Sequence, residues 1–232
     1  MTKRVFIIAV PMVLLLTACK SDTEVPPLDR GLDYFPIEVG TWVEYQVDSM
    51  WRYDDIGVHD SLSYRLLERI DEHYIDPAGR PAQRIVRYVQ DADGQWIPRD
   101  VWMSTRNDQY AERLEENLRM MKLAFPLSAQ REWDVHVHNT DAPLIVVVDE
   151  IDVPWSADGV AFEHTLYLRN KLPPNFIETR DLAERYARGV GLVHKRWTEL
   201  ETQPTYDQEG NIIGFSISGF DLRMRAVAHG TN

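Results

Sequence analysis

Cysteine is almost missing from this chain. Among 232 residues only Cys19 carries a thiol, so no disulfide can form within the chain. A long hydrophobic run is missing too. The longest apolar stretch, Val5 to Leu16, is about a dozen residues, and a membrane-spanning helix needs roughly 20. No basic cluster interrupts a sequence whose net charge is −12. Lys3 and Arg4 carry two of the positive charges, so the residues from Cys19 onward carry −14. A domain that acidic repels a phosphate backbone, which excludes nucleic acid as a partner. No internal repeat, heptad array or low-complexity block is visible. Gly189-Val190-Gly191 lacks the third glycine and the Lys-Ser/Thr of a phosphate loop. Ser61, Ser63, Ser104, Ser128 and Ser216 lie in no Gly-x-Ser-x-Gly context. Carboxylates are plentiful, and no pair stands out as general acid and base. The expectation is a protein that is not an enzyme and uses no cofactor.

What is present begins at the N-terminus. Two basic residues, an apolar run broken by Pro11, and the small residues Thr17 and Ala18 describe a secretory signal over residues 1–18. Leu16-Thr17-Ala18-Cys19 resembles the lipobox of bacterial lipoproteins. The resemblance implies that the Cys19 thiol takes a diacylglycerol, that the chain is cut before Cys19, and that the new amino group is acylated. Two or more acyl chains give stable attachment where one does not. Lys20, rather than Asp, follows the cysteine. By the sorting rule of such lipoproteins this implies the outer membrane, with periplasmic or surface face open. Residues 19–33 are polar, with Pro26-Pro27 and Gly31, and read as a lipidated tether. Residues 34–232 form one domain.

Within that domain the turn chemistry repeats. Asp76-Pro77-Ala78-Gly79, Asp91-Ala92-Asp93-Gly94, Ser156-Ala157-Asp158-Gly159 and Asp207-Gln208-Glu209-Gly210 each place Asp or Ser first and Gly fourth. Such a side chain caps a type I turn and the glycine accepts the left-handed residue after it. Four hairpins follow. The flanks alternate with period two. Val43, Tyr45, Val47, Trp51 and Tyr53 share one face, and Leu62, Tyr64, Leu66, Ile70 and Tyr74 share another. In the last strand Ile213, Phe215 and Ile217 have one phase and Phe220, Leu222, Met224 and Ala226 the opposite one. A bulge near Gly219 is the expected cause. The fold class is all-β or mainly β. Antiparallel, hairpin-linked strands form an open barrel, half-barrel or sandwich with at most one or two short helices.

Two segments fit less well. Tyr110, Leu114, Leu118 and Met121 fall at helical spacing, and "TRDLAERYA" reads as a short helix. Here a second resemblance enters. "YFPIEVGTWVEYQV" (34–47), "MKLAFPLSAQREWD" (121–134) and "ERYARGVGLVHKRW" (184–197) resemble the start, middle and late motifs of small β-rich bacterial lipoproteins of uncharacterised function. Ile37 departs from the family's Leu, and one residue is missing between Gly40 and Trp42. The resemblance implies an antiparallel β fold akin to open-barrel lipoprotein carriers, and a strand rather than a helix over 109–124. Both readings of that segment stay open from sequence.

The candidate chemistry is thin. Asp134, His136 and His138 would share a strand face and could ligate zinc or copper, but no further ligand is near in sequence, so the face reads as solvent-exposed. Asp91-x-Asp93-Gly94 starts like a calcium loop, yet Trp102 stands where a Glu is needed. Asp149, Glu150 and Asp152 would add at most a weak site. Seven Trp and ten Tyr fill a β core or line an apolar cavity. The expected function is a membrane-anchored envelope lipoprotein acting as a binding or assembly module. The alternative is a carrier of a hydrophobic ligand such as lipid. The expected partners are the membrane, through the Cys19 lipid, and either an envelope protein or an apolar ligand. No metal site is expected.

Overall fold

The computed structural model describes residues 28–171 and 175–232. The signal segment and Cys19 lie outside the described residues. Twelve strands make one antiparallel sheet: β1 Thr41–Tyr53, β2 Val58–Ile75, β3 Pro81–Gln90, β4 Trp96–Arg106, β5 Tyr110–Glu115, β6 Leu118–Ala124, β7 Glu132–Asp134, β8 Ile145–Ala157, β9 Val160–Asn170, β10 Glu178–Ala187, β11 Gly191–Tyr206 and β12 Ile212–Thr231. The sheet order is β6-β5-β4-β3-β2-β1-β12-β11-β10-β9-β8-β7. Two meanders, β1–β6 and β7–β12, are therefore joined by pairing of the first strand with the last. The sheet curls into a nearly closed barrel, with strand in 68% of the structure and helix in 3%. Its seam lies between β6 and the β7 region. The Met121 amide donates to Val135 O at 2.9 Å, and the Trp133 indole N–H donates to Met121 O at 3.2 Å.

The period-two faces explain the core. Val43, Tyr45 and Val47 are buried, as are Leu66 and Ile70, while Glu44, Gln46 and Asp48 sit on the other face, half-buried. One apolar group gathers Tyr34, Leu123, Trp133, Val148, Leu166 and Tyr186. A second gathers Val43, Tyr45, Leu66, Phe162, Val193 and Met224.

Three of the four expected turns have the expected build. Asp76, Asp91 and Asp207 each accept two backbone N–H bonds, and Gly79, Gly94 and Gly210 have positive φ. The turn at 156–159 differs. Ala157 pairs with Val160, and Asp158 and Gly159 both have positive φ. It is a two-residue turn of the primed kind. The helical spacing over 109–124 is misleading. Glu116 and Asn117 both have positive φ and turn β5 back onto β6, with Glu115 opposite Leu118. The family-like reading of that segment as strand holds. "TRDLAERYA" is likewise strand, most of β10; it pairs with β9 and β11, and its Leu182 and Tyr186 are buried in the core.

The bulge expected near Gly219 is absent. β12 pairs with β1 and with β11 through Gly219 without a register shift. The phase change is instead a change of face: Met224 is buried and Phe220 is half-buried against Trp197, whereas Ile213 and Phe215 on the other phase are exposed. Gly219 has φ 134°, and a Cβ there would lie 1.9 Å from Glu199 O, so the β11 backbone approaches too closely for any side chain.

The final residues of the tether segment touch the domain. Leu32–Tyr34 form a short 3-10 turn. Arg188 donates to Asp29, Asp33 and Asp152 at 2.7–3.0 Å and lies 4.6 Å from the Tyr34 ring centroid.

Candidate functional site

The barrel interior is charged as well as apolar. Lys122 on β6 donates to Glu184 on β10 at 2.6 Å and faces Glu115 on β5 at 3.6 Å. Lys195 on β11 lies 3.6 Å from Glu115 and 3.8 Å from Glu184. The Tyr186 hydroxyl donates to the other Glu184 oxygen at 2.6 Å. All five residues are buried. Beside them, Arg87 and Arg113 each donate to one oxygen of buried Glu68, at 3.0 and 2.9 Å, and Arg87 also holds Asp100.

Burial and pairing compete at each of these groups. Burial alone would raise the Glu115 carboxyl, but Lys122, Lys195 and Arg113 outweigh it and hold the group well below the usual carboxylate range. At Glu184 burial is likewise overcome, chiefly by Lys122 and then Lys195. Burial opposes the charge on Lys122, and Glu115 and Glu184 overcome it, so its pKa is raised. Lys195 goes the other way. Burial pushes it down, Glu115 does not make up the loss, and the like charge of Lys122 adds to it. The arrangement ties β2, β3, β5, β6, β10 and β11 together across the interior. It keeps Glu115 and Glu184 ionised and out of solvent.

A small cavity of about 40 Å³ opens beside this network. Its deep wall holds Tyr45, Glu68, Ser104 and Tyr186, all buried. Its rim holds the half-buried Pro36, Trp42, Arg69 and Val190. That volume suits about three water-sized groups. Ligand pockets that enclose a drug-sized or acyl ligand run to roughly 300–1,000 Å³.

A third feature lies at the far end of the long strands. Pairing of β10 with β11 ends at Glu201, and pairing of β1 with β12 ends at Ser218. Residues 203–206 and 212–216 therefore form a two-stranded hairpin that stands clear of the barrel. Ile213 and Phe215 are each 66% exposed on its outer face, and Ile212 and Tyr206 are exposed beside them. A lone two-stranded hairpin in water is marginal. Its tip lies about 60 Å along β12 from Thr231, beside which the chain enters the barrel.

The residues singled out from sequence are not brought together. Strand β7 stops at Asp134, so Asp134, His136 and His138 share no strand face. Asp134 caps the following turn, accepting the His136 and Leu144 amides. His136 is buried, its Nδ1–H donating to Ala142 O at 2.7 Å. His138 reaches Glu112 instead, at 3.1 Å. Buried Glu112 also receives Arg80, Arg119 and Thr105. Asp91 caps its hairpin. Asp149 pairs with Arg169, Glu150 with Arg185 and Asp152 with Arg188, which disperses the three acids. Among the described residues no three His, Cys, Asp or Glu gather as a metal site. Gly189, in the turn between β10 and β11, and Gly191, the first residue of β11, have positive φ.

The buried charges were not singled out, although the strand phase carries them. Glu68 stands between Leu66 and Ile70, Glu184 between Leu182 and Tyr186, and Lys122 between Met120 and Ala124. A charged residue two positions from inward apolar residues on both sides points inward as well.

No protein-family model matches the chain, and no curated protein matches it. Two solved structures are similar to it. One is a candidate exported protein with a YmcC-like fold from Bacteroides fragilis, at 12% identity and a TM-score of 0.39. The other is a candidate lipoprotein from Parabacteroides distasonis, at 12% identity and a TM-score of 0.40. Each alignment covers 85% of this chain and 98% of the other.

Proposed function

We propose that this chain is an envelope lipoprotein, anchored through Cys19, whose barrel presents a non-enzymatic interaction surface to a protein partner. The outer membrane is its proposed home. The observation that carries the reading is the exposed apolar face of the distal hairpin, Ile213 and Phe215 with Ile212 and Tyr206. Natural edges of this kind are normally blunted by charge or covered, and a compact apolar cluster is the usual centre of an interface. The carrier alternative has less support, because the cavity beside the ionic network holds only about 40 Å³ and the larger hollows, of about 420 and 470 Å³, are open grooves.

A photo-crosslinking residue placed at Phe215 or Ile213, and as control at exposed Glu163 on β9, tests the proposal in intact envelopes. Discrete adducts at the first two positions and none at Glu163 support it. Adducts independent of position, or lipid adducts alone, refute it. The anchor is tested separately: Cys19→Ser should move the chain from the membrane to the soluble fraction.

A further inference from the structure

The distal hairpin has two edges, and they differ. On β11 the Thr202 amide donates to Ile177 O at 2.6 Å. Backbone amides of a strand alternate in direction, so the next position facing that side is Pro204, which has no N–H. That edge is blunted. On β12 the Ile217 amide faces the opposite side and donates to Asp54 Oδ2 at 2.9 Å. By the same alternation the amides and carbonyls of Phe215 and Ile213 lie along this second edge. Strand β1 ends at Tyr53, opposite Ser218, and among the described residues no strand other than β11 pairs with 212–216. A stretch of about five residues is an ordinary strand length.

The charge is as one-sided as the edge. From Glu199 to Leu222 the chain has five acids and no Lys, Arg or His. Glu201 and Glu209 are exposed, as are Asp55 and Ile56 of the 3-10 turn at the base of the edge. The nearby cations are engaged: Arg52 with Asp54, Arg180 with Glu178 and Glu199, and Arg223 with Asp221. A second copy of this chain, or an anionic lipid surface, would bring more negative charge to the hairpin.

We propose that the 212–216 edge of β12 takes up an extended, basic segment of a partner protein as an added strand, in which Lys or Arg alternates with apolar residues. Backbone pairing along the edge supplies affinity. Ile213 and Phe215 cover the apolar side chains of the added strand, and the surrounding acids meet its basic ones. This rests on reading the hairpin as a protein interface, and adds how the partner is held and what its chemistry is.

Fluorescence anisotropy of the full-length chain in non-ionic detergent tests it. The probes are three labelled octapeptides: alternating Lys and Val, alternating Glu and Val, and the Lys–Val peptide N-methylated at every residue. Saturable binding of the Lys–Val peptide, at least about tenfold tighter than of either other peptide, is the expected result, with hydrogen exchange slowed at Ile213 and Phe215. Glu201→Lys combined with Glu209→Lys, which leaves the apolar face and the edge in place, should weaken that binding by at least about tenfold, and so should Phe215→Ser. Equal binding of the N-methylated peptide, protection away from 212–216, no saturable binding up to millimolar peptide, or dimerisation of the chain through Phe215 would each overturn the proposal. Discrete protein crosslinks at Phe215 in envelopes alongside any of the first three results would keep the interface and remove only the added strand. Absence of those crosslinks would remove both.

Discussion

Lys122 and Lys195 face the same two carboxylates, yet the structure gives them different tasks, and their replacement by methionine should separate these. Lys122 makes the short contact, 2.6 Å to Glu184, and its charge is favoured in the fold. Lys195 stands 3.6 and 3.8 Å from its partners, and its charge is disfavoured by burial and by Lys122. Removing one member of a buried pair costs roughly 3–5 kcal/mol. At about 2–4 °C per kcal/mol for a chain this size, Lys122→Met should lower Tm by about 6–20 °C. Lys195→Met keeps the stem and removes a charge that the interior resists. Glu115 and Glu184 still have Lys122. Its cost should stay below about 1.5 kcal/mol, or less than roughly 6 °C. The double variant Lys122→Met with Glu184→Gln should be less damaging than the sum of its single changes. Thermal and urea unfolding of the parent, the three single variants (Lys122→Met, Lys195→Met and Glu184→Gln) and the double variant would measure this. Equal losses for the two lysines, or a Lys122→Met chain within about 1 kcal/mol of the parent, would refute the division of labour.

Acid should destabilise the barrel through the same carboxylates. Glu115 and Glu184 are held below their ordinary value of 4.5, so the unfolded chain binds more protons than the native one below that pH. Their contribution is complete above about pH 4.5 and is lost as pH falls further; urea midpoints from pH 7 to 3 should drop, and less steeply in Glu115→Gln. Gly219→Ala should cost at least about 3 kcal/mol, because the added Cβ meets the Glu199 backbone and φ is unsuited to alanine; hydrogen exchange should show loss of protection along β11 and β12. Arg188→Ala should free the segment that Asp29 and Asp33 hold, seen as rapid amide exchange at 29–34. Tm should move by only a few degrees, since the cluster is largely solvent-accessible.

Alternation and turn residues carried most of the fold in the sequence. Strand β1 was legible from Val43, Tyr45 and Val47, and three hairpins from Asp76, Asp91 and Asp207. The β5–β6 hairpin was hidden because its turn, Glu116-Asn117, has no glycine, and because Tyr110, Leu114 and Leu118 happen to fall four apart. Gly219 misled because a glycine at a phase change usually signals a bulge, whereas here the strand keeps its register and exposes a new apolar face. That face is what the projecting hairpin leaves uncovered, and pairing lengths are not written in local sequence. Asp134, His136 and His138 were grouped on the assumption of a continuing strand; the strand ends at the first of them. The buried ionic centre was half legible. The phase of Glu68, Glu184 and Lys122 places each inside, but which cation meets which anion depends on long-range register.

The pairing of β1 with β12 also sets an order of events. When the chain is delivered N-terminus first, from the ribosome or through a pore, β1 gains its β2 neighbour early. Its other edge must wait until the last 20-residue strand has arrived. Closing the loop formed by all the chain between β1 and β12 is entropically slow relative to local hairpins. Through that interval an unpaired apolar edge is open to misplaced strands. A C-terminal truncation would therefore not shorten this barrel; it would leave its first strand paired on one side only, with β2.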